Sequence, residues 1–201
     1  MKLQRMIGTL VLIASAAVPV LAGTQGTNTN TVSPTLNVSA TVQKAIQLTL
    51  STGTMCNVNA GAGTDYSIDF GTVDALAINN GTCGNKFAPT TPGTSNAVYY
   101  TDYKITPVFT SQAVTTNTVN AYVSTNFGMA NLSIVQSNST PAAITDLSAM
   151  STNAASPTNV ATNATNGTAI TRYVGVSVAP TNGAGLTGSS SATITYTLTV
   201  Q

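Results

Sequence analysis

The sequence contains no histidine, no glutamate and no tryptophan, and its acidic residues are five aspartates. General acid–base catalysis would therefore depend on aspartate or lysine, and the many serines and threonines have no obvious base to activate them. The sequence also lacks a glycine-rich phosphate loop between a strand and a helix. We therefore expect neither an enzyme nor a bound cofactor.

Charge of either sign is scarce. After residue 22, four cations (Lys44, Lys86, Lys104 and Arg172) stand against five aspartates, a formal balance of minus one. Four scattered cations cannot neutralise a phosphate backbone, so nucleic acid is not a predicted partner. Few charges also give little repulsion between copies, and a free monomer is expected to associate.

Long hydrophobic runs are missing after the first 22 residues. Lys2 and Arg5 precede an apolar stretch at 6–18, and small residues lead to Ala22, a pattern typical of an export signal at 1–22. No later stretch approaches the roughly 18 apolar residues that a membrane-spanning helix requires. We predict export, with no membrane insertion after removal of the signal.

The two cysteines, Cys56 and Cys83, have no companions. In an exported protein an isolated pair is most simply one disulfide. The alternative is a metal site, which two thiols without any histidine could not complete. Asp65 and Asp69 could form a calcium site, but solvated aspartates at strand ends are far commoner. We predict a disulfide and no metal.

One stretch, residues 36–50, alternates over an unusual length. Apart from Ala45, its apolar residues stand at even positions: Leu36, Val38, Ala40, Val42, Ile46, Leu48 and Leu50. This period of two indicates a strand with one buried face. At about 3.3 Å per residue the stretch would reach roughly 50 Å, well beyond the usual strand length of about 20 Å. Our hypothesis is that 36–42 lies in a neighbouring copy and 46–50 in its own domain; the alternative is two ordinary strands with a bend near 43–45.

The rest of the chain predicts an all-β sandwich, because short alternating segments are separated by glycine, asparagine and proline turn signals. Pro107 is expected at an edge or a bulge of its strand. Residues 137–168 predict a surface insertion with a short helical or strand piece around 142–150. The predicted strands are 66–73, 98–110, 119–123, 130–135, 173–179 and 192–200.

The order of these parts resembles the spore coat U domain group and the related archaic chaperone-usher pilins. The resemblance extends from about Leu36 to Gln201. It is carried by the export signal, a polar tail, the alternating strand, Ser51-Thr52-Gly53 with Cys56, Asp69-Phe70-Gly71-Thr72-Val73, Cys83 and the terminal ATITYTLTV.

The resemblance implies an immunoglobulin-like β-sandwich that is incomplete by one strand and has an N-terminal donor strand extension. Its implied divisions are a signal peptide at 1–22, a tail and donor strand at 23–43, and the sandwich domain at 44–201. The implied site residues are a donor strand, an acceptor-groove edge and the family disulfide Cys56 to Cys83. The donor residues are Leu36, Val38, Ala40 and Val42, and the groove edge is Ala192, Ile194, Tyr196, Leu198 and Val200.

The implied function is that of a structural subunit of an extracellular fibre, or pilus, which polymerises head to tail by donor-strand complementation. Its partners would be other copies or sister pilins, a periplasmic chaperone and an outer-membrane usher, on a route through the periplasm to the cell surface. One alternative is a monomeric or tip adhesin that binds carbohydrate, with Tyr99, Tyr100 and Tyr103 as a sugar-stacking platform. Another is a self-contained coat or surface protein.

Overall fold

A computed structural model of the chain describes residues 38–40, 45–56, 58–60, 66–110, 116–180 and 188–201. The chain divides into two compact units, Met1–Val42 and Gln43–Gln201, and the fold described below is that of the second unit. The predicted export signal at 1–22 lies outside the described residues, as do Leu36 and Val42. Within the described ranges, no helix is long and apolar enough to cross a membrane.

The described part of the chain consists almost entirely of β-strands. Its one helical element is a 3₁₀ turn at Ile144–Asp146. Seven of the strands have five or more residues, which agrees with the short alternating segments of the sequence. The strands are β1 (Ile46–Thr52), β2 (Asn59–Ala60), β3 (Tyr66–Ser67), β4 (Asn85–Phe87), β5 (Ala97–Phe109), β6 (Asn117–Thr125), β7 (Leu132–Ser137), β8 (Ser148–Ala149), β9 (Thr158–Thr162), β10 (Ile170–Val178) and β11 (Thr193–Val200).

These strands form two antiparallel sheets and a small hairpin. The larger sheet has the order β1-β5-β10-β7-β8, and β4 also pairs with β5. The smaller sheet has the order β11-β6-β9, and β2 pairs only with β3. The prediction of an all-β fold is therefore confirmed.

The strand β1 confirms the prediction that residues 46–50 belong to their own domain. It pairs with β5 from Ile46 opposite Phe109 to Thr52 opposite Tyr103. Its alternation holds, because Leu48 and Leu50 pack against the core from one face. Ile46, at the start of the same face, is 61% exposed.

The long strand β5 is buried on both faces. A core cluster between the two sheets takes its inner side chains, including Tyr99, Tyr103 and Ile105. On the outer face, Val98 and Tyr100 join a second cluster with Val135, Leu147 and Tyr173. Burial on two faces explains why this segment is apolar and aromatic at neighbouring positions rather than strictly alternating.

Pro107 lies where β5 has a strand partner on one side only, as predicted. The pairing of β5 with β10 ends at Ile105. The amide of Gly167 donates to the Pro107 carbonyl oxygen at 2.8 Å. In an antiparallel strand the nitrogen and carbonyl of one residue face the same side, so the missing N–H of Pro107 faces a loop and no ladder bond is lost.

The predicted strand 66–73 is wrong beyond its start. Only Tyr66–Ser67 is a strand, although Ile68, Phe70 and Val73 still pack against the core. The Asp69 carboxylate accepts the Gly71 amide at 2.8 Å, and Gly71 has a φ of 67°. A local side-chain to backbone bond and a left-handed glycine turn the chain away from a ladder.

The prediction of a surface insertion at 137–168 is also wrong in part. A short helical or strand piece around 142–150 is confirmed by the 3₁₀ turn and β8. However, β9 pairs with β6 as a full member of the smaller sheet, and Val160 is 1% exposed. The buried face of β9 shows only one large apolar residue, so its sequence reads as polar loop. Likewise β7 begins at Leu132 rather than at 130.

The predicted disulfide between Cys56 and Cys83 is confirmed, with a Cα–Cα distance of 5.3 Å and a sequence separation of 27. It closes part of the long connection between β1 and β5. We expect the Cys56→Ala/Cys83→Ala double variant to lose about 3.5 kcal/mol of unfolding free energy, because the unfolded chain regains loop entropy. Urea denaturation of both forms measures this loss. An unchanged midpoint and slope would show that the loop is held by its other contacts.

A buried carboxylate fixes the start of the same connection. Asp102 of β5 accepts the Thr54 amide at 2.7 Å, the Thr54 hydroxyl at 2.8 Å and the Met55 amide at 2.8 Å. A side chain on Gly53 would place its Cβ 2.3 Å from Asp102 Cγ, so only glycine allows this approach. Burial alone would raise the pKa of Asp102, but the hydrogen bonds from Met55 and Thr54 outweigh it and lower the pKa.

Removal of this carboxylate is expected to be costly. Asp102→Ala leaves two amides and a hydroxyl without their acceptor, and we expect a loss of about 2–4 kcal/mol in denaturant unfolding. Because the folded pKa is lowered, the stabilisation by Asp102 is complete above about pH 4 and is lost as the pH falls through the folded value. Asp146→Ala is the control, since the exposed Asp146 carboxylate also accepts two amides, from Ala142 and Ala143. Equal losses in the two variants would contradict the role of burial.

Candidate functional site

The two sheets each end at an open edge on the same side of the domain. β1 is the last strand of the larger sheet and β11 the last strand of the smaller one. Among the described residues, no strand pairs with the second edge of either. Cα atoms of β1 and β11 approach each other within 8 Å. We call the strip between these two edges the groove.

The groove is lined by apolar side chains that are only partly covered. Leu48 and Leu50 contribute from β1, and both pack against the core between the sheets. All are of intermediate burial, whereas the inner residues of the central strand β5 are almost fully enclosed. The β11 side supplies Ile194, Tyr196, Leu198 and Val200, with Ala192 just before the strand.

Two tyrosines connect the sheets beside the groove. The Tyr196 hydroxyl of β11 donates to the Tyr103 hydroxyl of β5 at 2.9 Å. Their ring centroids are 6.0 Å apart in an edge-to-face arrangement at 65°. Burial raises the pKa of Tyr103 to about 12, although the bond from Tyr196 and the positive charge of Arg172 oppose this rise. Burial likewise raises the pKa of Tyr196 well above its usual value.

The structure describes two of the four residues of the predicted donor strand. Val38 and Ala40 lie outside any strand and are exposed, Val38 by 85%. The two ends of the predicted segment, Leu36 and Val42, lie outside the described residues. The alternation of this segment is therefore not satisfied by burial at Val38 or Ala40.

The tyrosines considered as a sugar-stacking platform are core residues. Tyr99, Tyr100 and Tyr103 are at most 6% exposed. The Tyr99 hydroxyl donates to the Asn79 carbonyl at 3.0 Å and the ring of Tyr100 stacks on Phe87 with centroids 5.0 Å apart. These rings offer no accessible face to a carbohydrate.

A shallow polar cleft lies beside the disulfide. Its lining includes one carboxylate, Asp69, together with Thr52, Thr54, Asn59 and Thr82. Within the described residues, no three histidine, cysteine or acidic side chains come together as a metal site. The Asp65 of the considered calcium pair lies outside those residues. The Asp69 carboxylate in this cleft accepts the Gly71 amide at 2.8 Å.

The sequence predicted the strand at 192–200 but not the side chains that contact it. The pairing of Tyr196 with Tyr103 spans 93 residues and has no local signal. Leu48 and Leu50 were assigned to the domain without a place in the groove. The signal that could have found them is the even parity of Leu48 and Leu50, which places both side chains on one face of β1.

Comparison of the chain with protein-family models, with curated protein sequences and with solved structures found no match. The resemblance to the spore coat U domain group therefore stays a prediction.

The tyrosine pair predicts a decline of stability at alkaline pH. Both folded pKa values are raised, so the unfolded chain releases its protons first above about pH 10. The free energy of unfolding should then fall by about 1.4 kcal/mol per pH unit for each tyrosine. Urea midpoints at pH 9 and pH 11 measure the fall, and the Tyr103→Phe/Tyr196→Phe variant should show a flatter dependence. The same slope in both proteins would contradict the burial of these hydroxyls.

Proposed function

We propose that this chain is a structural subunit of an extracellular fibre, assembled head to tail by donor-strand complementation. The domain is then an incomplete immunoglobulin-like sandwich, and the missing strand is residues 36–42 of another copy. The observation that carries the proposal is the groove, where two unpaired edges and half-covered apolar side chains adjoin each other.

Unpaired edges of this kind are a hazard for a monomer. A strand edge exposes a row of amides and carbonyls that another chain can pair with. Natural proteins protect such edges with lysine, proline or other charges, but β1 and β11 contain no charged residue and no proline. Edges without this protection can pair readily with a specific partner strand.

The incoming segment has the chemistry that the groove requires. Its residues Leu36, Val38, Ala40 and Val42 alternate with polar Asn37, Ser39 and Thr41. An added strand satisfies the β11 ladder with its backbone and fills the groove with alternate side chains. Residues 43–45 join this segment to β1, so each copy lends its strand to one neighbour and borrows from another. Such a contact does not close on itself and propagates as a fibre.

Insertion of a strand between β1 and β11 requires these two strands to move apart. A strand between two paired neighbours needs about 9.6 Å, twice the strand spacing. β1 and β11 approach more closely than this in places, so they must move apart as the segment enters. A helper protein that holds the groove open fits this requirement. We include a periplasmic chaperone and an outer-membrane usher in the proposal, on an export route to the cell surface.

The period of two gives a direct test of the proposal. Val38→Asp in the chain from Gly23 onward places a carboxylate in the groove, and we expect at least about 100-fold slower fibre growth, because an unpaired charge is buried. Ser39→Asp is the matched control, because residue 39 is next to Val38 and faces solvent in the same strand. Sedimentation and electron microscopy measure the fibres. Both residues are exposed in the monomer, so thermal unfolding of the two variants should agree.

Deletion of residues 23–43 completes the test. The proposal expects this chain to form no fibres and to aggregate or bind a chaperone. A stable monomer with unchanged thermal behaviour would contradict it and favour the self-contained surface protein. Binding of the intact monomer to a glycan array would favour the adhesin.

A further inference from the structure

The tyrosine pair makes the groove different at one position along β11, that of Tyr196. We call each such position along the strand a level of the groove. The ring of Tyr196 is fixed at two points, by its own backbone in β11 and by the 2.9 Å bond from its hydroxyl to Tyr103. Tyr103 is 3% exposed and has no room to follow a moving partner. The Tyr196 ring therefore cannot be displaced without the loss of a buried hydrogen bond.

Tyr196 is also the largest side chain on its wall. Its neighbours on the same face, at a spacing of two residues, are Ile194 and Leu198. At the level of Tyr196 the space between the sheets already holds two aromatic rings, 6.0 Å apart. A strand that pairs with β11 must place its smallest apolar side chain at this level.

The proposed incoming segment has one such residue. Ala40 stands between Val38 and Val42, with Leu36 beyond. When Ala40 lies opposite Tyr196, an antiparallel segment places Val42 beside Ile194 and Val38 beside Leu198. In a parallel segment the two valines change places, and Ala40 stays opposite Tyr196. A slip of two residues brings a valine against the Tyr196 ring, and a slip of one turns the polar face inward.

We propose that the hydroxyl-bonded pair of Tyr103 and Tyr196 sets the register of the incoming strand by accepting Ala40 and excluding larger side chains at that level. This inference rests on the proposed function and assigns the residue that determines its specificity. Tyr196 is the selecting residue, and Tyr103 is a positioning residue that acts through it.

Synthetic peptides test the register on the intact protein. A peptide of residues 34–44 should occupy the groove and inhibit fibre growth of the chain from Gly23 onward. The Ala40→Leu peptide should need roughly 10- to 100-fold more peptide for half inhibition, because overpacking opposes its entry. The Val38→Leu peptide is the matched control and should stay within about threefold of the original. Leucine is no poorer in strands than alanine, so strand propensity does not predict this difference.

Variants of the wall complete a double-mutant cycle. In the Tyr196→Leu chain, the Ala40→Leu peptide should regain most of the lost inhibition, which shows coupling between these two positions. The Tyr196→Phe chain keeps the ring and loses the hydroxyl bond, so its discrimination against the Ala40→Leu peptide should be weaker but present. If Tyr196→Leu does not fold, the Tyr196→Phe chain and the peptide series on the unchanged chain decide the question.

The outcomes distinguish a failure of the proposed function from a failure of the register inference. If the original peptide does not inhibit growth, or no fibres form, the proposed function is wrong. If the original peptide inhibits and the Ala40→Leu peptide inhibits equally, the fibre proposal survives and the register inference is overturned. An equal loss of inhibition by the Val38→Leu and Ala40→Leu peptides would also overturn the register inference, because exclusion of larger side chains would then not be specific to the level of Tyr196.

Discussion

The constraint on which this fold depends is the need of every strand edge for a partner or for protection. The two sheets share one core, and their inner strands, such as β5, β10 and β6, pair with a neighbour on both sides. β1 and β11 do so on one side only within the described chain. A β domain of this size has no way to hide two such edges except by closing a barrel, covering them or borrowing a strand. The proposed fibre follows from the third solution.

Most of the charged side chains that the structure describes form hydrogen bonds with backbone groups. The Asp74 carboxylate accepts the amides of Leu76, Ile78 and Asn79. On the other side of the same loop, the Lys86 ammonium donates to the carbonyls of Ala77 and Asn79. In the β1 to β5 connection, backbone groups that no ladder pairs are thus satisfied by ionised side chains, whose hydrogen bonds are stronger than neutral ones.

This use of charge has a consequence for association. The Lys86 ammonium lies in β4, where backbone carbonyls hold it, so it places no charge in β1 or β11. Arg172 behaves in the same way, since it donates to the carbonyls of Val160 and Asn138 and so links β10 to the opposite sheet. The chain therefore stabilises irregular connections at the expense of electrostatic protection of its edges.

The sequence predicted the strands that are rich in apolar residues, including the doubly buried β5, and failed where buried residues are sparse or where a local hydrogen bond turns the chain. β1 and β11 alternate cleanly because each has one face on the core, and both were found. β9 was missed because Val160 is its one large buried side chain and its exposed residues are asparagine and threonine. Residues 68–73 alternate as a strand would, but Asp69 and Gly71 bend the backbone through a bond that periodicity does not report.

In the candidate site, too, only features with a local sequence pattern could be predicted. The role of residues 36–42 stays a prediction. The strand β11 could be found from the sequence because its apolar residues alternate with threonines. The Tyr103–Tyr196 bond could not, because it depends on how two sheets face each other and not on any local pattern. Parity alone permits several registers that differ by two residues, all equally apolar. The choice among these registers requires one position along the groove that differs in shape from the others. The Tyr196 ring, held by its bond to Tyr103, supplies this difference, whereas the side chains of Ile194 and Leu198 can change conformation.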